Sequence, residues 1–404
     1  MRAALLATLV GGILYGVPTR CSAQADLLRN EKANINRILR GGALAGADEK
    51  LFDQYFCQFF MQFLNPNACP ESFHDVRKDL QIFLRMGKSG PSYNALIKKA
   101  TTGLRQVAGS ASFSPAARVN AVLTLGSLNE SEPGGKPLAS ELPVLKFIVE
   151  SKDLVRFPDS TKIAALVGLE RYAREGAIPP AQQADLFKML LAILEQQTPP
   201  DNRTAEGHTW MRRSAAQVLA ALGNPGPNNS LIAAMEKIIA DPGARASLRC
   251  EMAECLGKLQ YPKDAKIDYP ALANLLGHQT VEICQGELEA AKNSGRNPSR
   301  GMIVYALAST LHGLEGPTGR TGLLAAAAGT PTQAAIAELR KKIKETSELM
   351  QDEDEVADTQ LATKVNELVT EMQAVLPPKP QPKQDVVAAA DGAAAAPPKP
   401  AVPN

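Results

Sequence analysis

The chain has 404 residues, of which 45% are apolar, 21% charged and 5% aromatic. Length alone allows two or three domains, and few aromatics with abundant Ala suit stacked helices better than a large mixed sheet. A formal net charge of +2 excludes nucleic acid as a main partner, because a phosphate backbone needs a clustered basic face.

In chain order, residues 1–25 read as a signal peptide. Arg2 gives the positive start, Ala3 to Val17 an apolar run, and Ala23-Gln24-Ala25 the small residues before a cut that leaves Asp26 first. The run is about 15 residues, short for a membrane span; the alternative is an uncleaved amino-terminal anchor. Cys21 follows Pro18-Thr19-Arg20, which is not a lipoprotein context. The expectation is an exported protein, periplasmic or secreted, with no membrane contact after cleavage.

Residues 26–110 read as an N-terminal helical cap. Ile35, Ile38 and Leu39 begin a helix that stops at Gly41-Gly42. Phe52, Phe56, Phe59, Phe60 and Phe63 then fall on one helical face, and Val76, Leu80, Phe83 and Leu84 offer a matching one. Such a stripe is either a cap core, the preferred reading, or an exposed binding face. Ser72 is the expected cap of the third helix. Tyr93, Leu96, Ala100, Leu104 and Val107 make a fourth. Cys57 and Cys69 flank Asn65-Pro66-Asn67, so they form either a disulfide across that break or two buried thiols. Cys250 and Cys255 point different ways on one helix, and either can meet Cys284 on the next.

Residues 111–330 carry a recurring element. Arg118 to Gly126, Lys162 to Gly168, Arg213 to Gly223, Arg249 to Gly257 and Arg300 to Gly313 each start with a base, run apolar at helical spacing and end at Gly. Most are followed by a loop and a second apolar helix, as at Leu142–Val149 and from Pro180 to about Glu195. Ser114-Pro115 reads as a cap followed by Pro at the first helical position. Strand signals are nearly absent. The glycines lie 42, 55, 34 and 56 residues apart, a loose period with loop insertions. These five cores, with Pro before several helices, resemble HEAT repeats and the related armadillo-like α-solenoids. The resemblance covers about half the chain and implies an α-α superhelix of antiparallel helix pairs used for protein–protein contact.

Residues 331–375 read as a C-terminal helix or helical hairpin. The basic segment Arg340–Lys344 runs into the acidic Asp352-Glu353-Asp354-Glu355, and Leu361, Val365, Leu368 and Met372 form a short heptad seam. That seam either caps the last repeat or dimerises the protein. From 376 to 404 the chain is Pro, Ala and Lys-rich and is expected to be disordered.

No catalytic motif emerges. His74, His208, His278 and His312 stand apart from one another and from Cys at metal-ligand spacing, so neither a metal nor a cofactor is expected. Glu251 and Glu254 share a helix face and are expected to face solvent. Trp210, the only tryptophan, lies beside Arg212 and Arg213. All three are candidate partner contacts, although Trp210 also suits a plug between repeats. The resulting expectation is an all-α, non-enzymatic, exported scaffold or adaptor that binds a protein. The alternatives are an envelope protein self-associating through its C-terminal helix, and an α/α-barrel enzyme.

Overall fold

The computed structural model describes residues 27–41, 44–61, 70–262, 266–317, 322–330, 333–351 and 358–378, with the backbone alone at 61, 70–74, 358–359 and 375. Residues 1–25, expected to be a signal peptide, the tail beyond 378, and the side chains of Phe63, Cys69, Ser72, Phe73 and His74 lie outside the described residues. The Cys57–Cys69 pairing therefore lies outside them too, while Cys57 itself is exposed.

The described chain is all-α. Its helices are α1 (Lys32–Gly41), α2 (Gly46–Met61), α3 (Pro70–Gly87), α4 (Pro91–Ala108), α5 (Pro115–Ser127), α6 (Leu142–Glu150), α7 (Asp159–Arg174) and α8 (Pro180–Glu195). They continue with α9 (Ala205–Leu222), α10 (Ser230–Ala240), α11 (Ala246–Gly257), α12 (Tyr269–Ser294), α13 (Arg300–Glu315), α14 (Leu323–Ala326), α15 (Gln333–Gln351) and α16 (Asp358–Val375). Among the described residues no strand forms, and one isolated bridge joins Asn129 to Pro137.

Local chemistry sets many of the boundaries. Ser114 accepts from the Ala117 amide at 3.2 Å, with Pro115 opening α5. Thr204 does the same for Gly207 in α9 at 3.0 Å, Asp268 for Ala271 in α12 at 3.1 Å, and Ser299 for Met302 in α13 at 3.3 Å. Each satisfies a donor that the first helical turn would leave unpaired. Helix α3 begins at Pro70, so Ser72 lies inside its first turn and not at the cap expected for it.

Two rows of helices result. Helices α5, α7, α9, α11, α13 and α15 pack each on the next, forming the first row. Helices α8, α10, α12 and α16 form the second in the same order, and α6, α8, α10 and α12 each lean on the first-row helix that follows. This is a stack of helix pairs, in which each unit buries its apolar face only by meeting its neighbours. Among the described residues one large apolar core includes residues from Ile35 to Met372.

The recurring base has a common role in three units. Lys162 Nζ donates to the Ser151 carbonyl at the end of α6. Arg212 Nε reaches the Leu194 carbonyl at the end of α8 (2.9 Å), and Arg249 Nε reaches the Ile239 carbonyl at the end of α10 (2.8 Å). All three bases are buried. Each satisfies carbonyls that a helix terminus leaves unpaired, and its charge opposes the negative end of the helix dipole. At the two ends of the row the base reaches forward. Arg118 binds the Val155 and Arg156 carbonyls in the loop after α6, and Arg300 binds the Met350 carbonyl near the end of α15 at 3.0 Å. In the third unit the capping base is Arg212, one residue before the one expected.

The recurring glycine lies at or within two residues of the helix end in four units, at Gly126, Gly223, Gly257 and Gly313. Gly223 does close α9 in a left-handed conformation (φ 75°), a geometry that suits a residue without Cβ. Gly168, by contrast, lies inside α7, which continues to Arg174. A methyl group on Gly126 would sit 2.8 Å from the Gly168 Cα, one on Gly313 2.6 Å from the Ala253 carbonyl oxygen, and one on Gly257 would strike the His312 carbonyl. These glycines let adjacent first-row helices approach backbone to backbone, where even one methyl overpacks.

The N-terminal helices form a small bundle in which α1 touches α2, α3 and α4, and α3 and α4 continue onto α5. The phenylalanine stripe is its core, as preferred: Phe52, Phe56 and Phe59 are buried. Phe83 of α3 stands edge-on to Phe56, Phe59 and Tyr55, with ring centres 5.4, 5.5 and 5.9 Å away, an arrangement that aromatic quadrupoles favour.

At the other end, α15 joins the first row and α16 lies on α12, so the pair extends the stack. Leu361, Val365, Leu368 and Met372 are all buried within the chain. That decides the heptad seam in favour of intrachain packing and against a dimerising coiled coil. Lys342 Nζ pairs with Glu371 at 3.1 Å to tie α15 to α16.

Close approach at the glycines makes a direct prediction. Gly257→Ala should destabilise the protein by about 1–3 kcal/mol. Gly286→Ala is the control: Gly286 sits in α12 with open space around its Cβ direction, and it should gain about 0.5–1 kcal/mol from helix propensity. Urea unfolding of the two variants checks both signs.

Candidate partner-binding surface

Helix α9 buries His208, Met211, Ala215 and Leu219 on one face. The helical period therefore turns Trp210, Arg213 and Gln217 to the other side. Trp210 is 48% exposed, the largest of the exposed apolar side chains among the described residues. The Arg213 guanidinium lies over its ring, 4.7 Å from the centre, a cation–π contact. Trp210 is thus a surface residue and does not plug the space between repeats.

Arg213 is in turn held by α11. Its NH2 and Nε groups both donate to Glu251 Oε2, at 2.8 and 3.2 Å, and Gln217 Nε2 donates to Glu251 Oε1 at 2.9 Å. The same NH2 group lies 3.3 Å from the Tyr305 hydroxyl on α13. One string of polar side chains thus crosses three neighbouring first-row helices. Glu251 is only 3% exposed, so the solvent-facing role expected for it is wrong: a cross-helix cation neutralises it in the interior. Burial lowers the Arg213 pKa, but its hydrogen bond and charge interaction with Glu251 outweigh this and leave it raised. Burial and then the Glu251 charge push the Tyr305 phenol up, so it remains protonated.

Arg212 does not belong to this surface. It is buried and spent on the α8 terminus, which corrects its expected role as a partner contact. Glu254 pairs with Lys258 at 2.7 Å.

The remaining candidates for chemistry resolve into structural roles. His208 Nε2 lies 2.7 Å from the Gln196 carbonyl, the geometry of a donor, and Nδ1 then accepts from Arg203 at 3.3 Å. Burial holds its pKa below the ordinary value. Arg203 is also bidentate to Asp159, with both bonds at 2.8 Å, so the group fixes the corner between α7, α8 and α9. His278 Nε2 lies 2.7 Å from the Pro377 carbonyl. Among the described residues no cluster of three His, Cys, Asp or Glu has metal-binding geometry. Cys250, Cys255 and Cys284 are buried and free. Burial pushes the Cys250 and Cys284 thiols up to about 12 and holds that of Cys255 well above its ordinary value, so none is a thiolate nucleophile at neutral pH.

A second surface escaped the sequence reading. Two adjoining cavities, of about 270 and 260 Å³, lie between α3 and α5 and share Gln81 and Ser127. Arg77 and Lys78 line one and Arg85 the other, with Thr124, Asn129 and Glu132 along the far wall. None of the three bases has a carboxylate partner among the described residues. The far wall is anchored from beneath: Tyr93 donates to the Asn129 carbonyl at 2.7 Å, Arg171 binds the Asn129 side chain, and Asn129 donates to Glu132 at 2.6 Å. The available signal was the spacing of Arg77, Gln81 and Arg85, a polar stripe opposite the buried Val76, Leu80 and Phe83 of the same helix.

None of the protein-family models, curated proteins or solved structures compared with the chain matches it. Among the described residues no helix is long and apolar enough to cross a membrane.

The buried thiols give a pH prediction. In the folded chain Cys250 and Cys284 ionise near 12, against about 9 for an ordinary thiol. As pH rises past 9 the unfolded chain loses protons that the folded chain retains, so unfolding is favoured. Stability should therefore hold up to about pH 9 and fall towards pH 12. A Cys250→Ala/Cys284→Ala variant should show a shallower alkaline decline, whatever its stability at neutral pH. Urea unfolding across that range measures the slope, and an unchanged slope would count against the assignment.

Proposed function

We propose that the chain is an exported, non-enzymatic scaffold or adaptor of the HEAT-like class, which uses the first-row face of its helix stack to hold a protein partner. The carrying observation is Trp210, half exposed and held in orientation by Arg213, which is itself fixed by the buried Glu251. Trp and Arg dominate binding hot spots because they offer large contact area with little mobility to lose. A side chain fixed before binding also spares the ordering entropy of association. Stacked helix pairs support the reading, since their usual product is an extended binding surface.

Trp210→Ala tests this without disturbing the buried ion pair. The mature chain from Asp26, used as bait on the host envelope fraction, should retain one abundant protein in constant proportion. Binding of that protein, once purified, should weaken about 30-fold or more with the variant, the size of a hot-spot loss of at least about 2 kcal/mol. Equal affinity for both baits would remove Trp210 from the interface. Retention of no specific protein would count against the adaptor reading itself.

A further inference from the structure

The charge of this chain is distributed unevenly along the stack. Residues 27–110 hold twelve Lys and Arg against seven Asp and Glu, whereas residues 331–375 hold five against ten. The basic end contains the groove between α3 and α5, with Arg77, Lys78 and Arg85 along it. The acidic end contains Asp352-Glu353-Asp354-Glu355, four consecutive carboxylates in the link between α15 and α16.

We infer that the α3–α5 groove binds the acidic link 352–355 of a second copy of this chain, so that molecules associate head to tail. Charge complementarity selects the occupant: the groove offers Arg77, Lys78 and Arg85, which have no carboxylate partner among the described residues, together with the Gln81 amide, against one lining carboxylate, Glu132. An acidic segment can accept hydrogen bonds from these cations and from the Gln81 amide, and Arg and Lys bonds to carboxylates are among the strong ones. The groove wall is already anchored by Tyr93 and Arg171, so little ordering is left to oppose binding.

The link cannot serve its own groove. The six residues 352–357 extend at most about 22 Å and must return to α16. Helices α5 and α15 stand five steps apart in the first row, a path of about 40–50 Å along the row at usual interhelical distances. Nor does any substantial helix contact join α3 or α5 to α15 or α16. Groove and link are different surfaces at opposite ends, so the contact is heterologous and repeats from molecule to molecule. This self-association stands apart from the partner role of Trp210.

Sedimentation of the mature chain tests the inference. At low ionic strength the mean mass should rise with concentration past that of a dimer, and it should return to the monomer in about 1 M salt, where the Debye length is about 3 Å. Arg77→Glu/Lys78→Glu should weaken association more than about tenfold, because like charges would then face each other. Reversing the link (Asp352→Lys, Glu353→Lys, Asp354→Lys, Glu355→Lys) should do the same. Mixing the two reversed chains should restore assembly, since each then offers the other an opposite charge; this also shows that neither variant has merely misfolded. Trp210→Ala should leave the mass unchanged, which separates this result from the fate of the adaptor reading. A native chain that stays monomeric at low ionic strength overturns the inference, as does assembly that survives both reversals. A monomer that binds a polyglutamate peptide in the groove also overturns it, assigning the groove to a different acidic partner.

Discussion

The stack depends on a base buried beside the end of a helix that is not its own. A helix pair leaves carbonyls unpaired where the second helix stops, and in a row of pairs that end is covered by the next unit. Water is excluded there, so the row can close over the terminus only if the incoming helix brings a donor. Lys162, Arg212 and Arg249 bring one, each from a first-row helix to the end of the helix that precedes it in the chain. The same contact fixes the register of unit on unit, because a shift along the axis would strand both a buried cation and a buried carbonyl.

Close packing of the first row follows from that register. With the units held in line, Gly126 meets Gly168 and Gly257 meets Gly313, and the backbones approach where a side chain would hold them apart. A row this tight makes cross-helix pairs available on its surface. Arg213, Gln217, Glu251 and Tyr305 come from three helices, yet together they form the mount on which Trp210 is held. The surface that supports the functional proposal is therefore a consequence of the packing beneath it.

Much of this was legible in the sequence, and the limits have physical causes. Helix starts were readable because proline and a capping hydroxyl act locally, as at Ser114-Pro115. The apolar faces were readable because burial follows the helical period, which placed Phe52, Phe56 and Phe59 correctly in a core. The base and the glycine of each unit were visible as a pattern, and the glycine marks the helix end in most units, but their packing roles were not legible, because both act on a neighbouring helix. Gly168 resembled a stop and is a contact point; Arg212 resembled a surface contact and is a buried cap. Glu251 misled for the same reason, since its partner Arg213 is 38 residues away in sequence. The α3–α5 groove was missed because a basic stripe on one helix gives no sign of the wall that faces it.

The central claim is that buried bases at helix ends hold the units in register, and Arg212→Met tests it most directly. Among the described residues Arg212 has a single hydrogen-bond partner, the Leu194 carbonyl, and methionine preserves much of its volume. Hydrogen exchange across the chain, read with urea unfolding, should show a loss of about 1.5–3 kcal/mol. Protection should fall at the end of α8 and the start of α9, while α1 to α4 keep theirs. Native stability with protection unchanged at the end of α8 would contradict the account. Unchanged stability with weakened partner binding would return Arg212 to the binding surface.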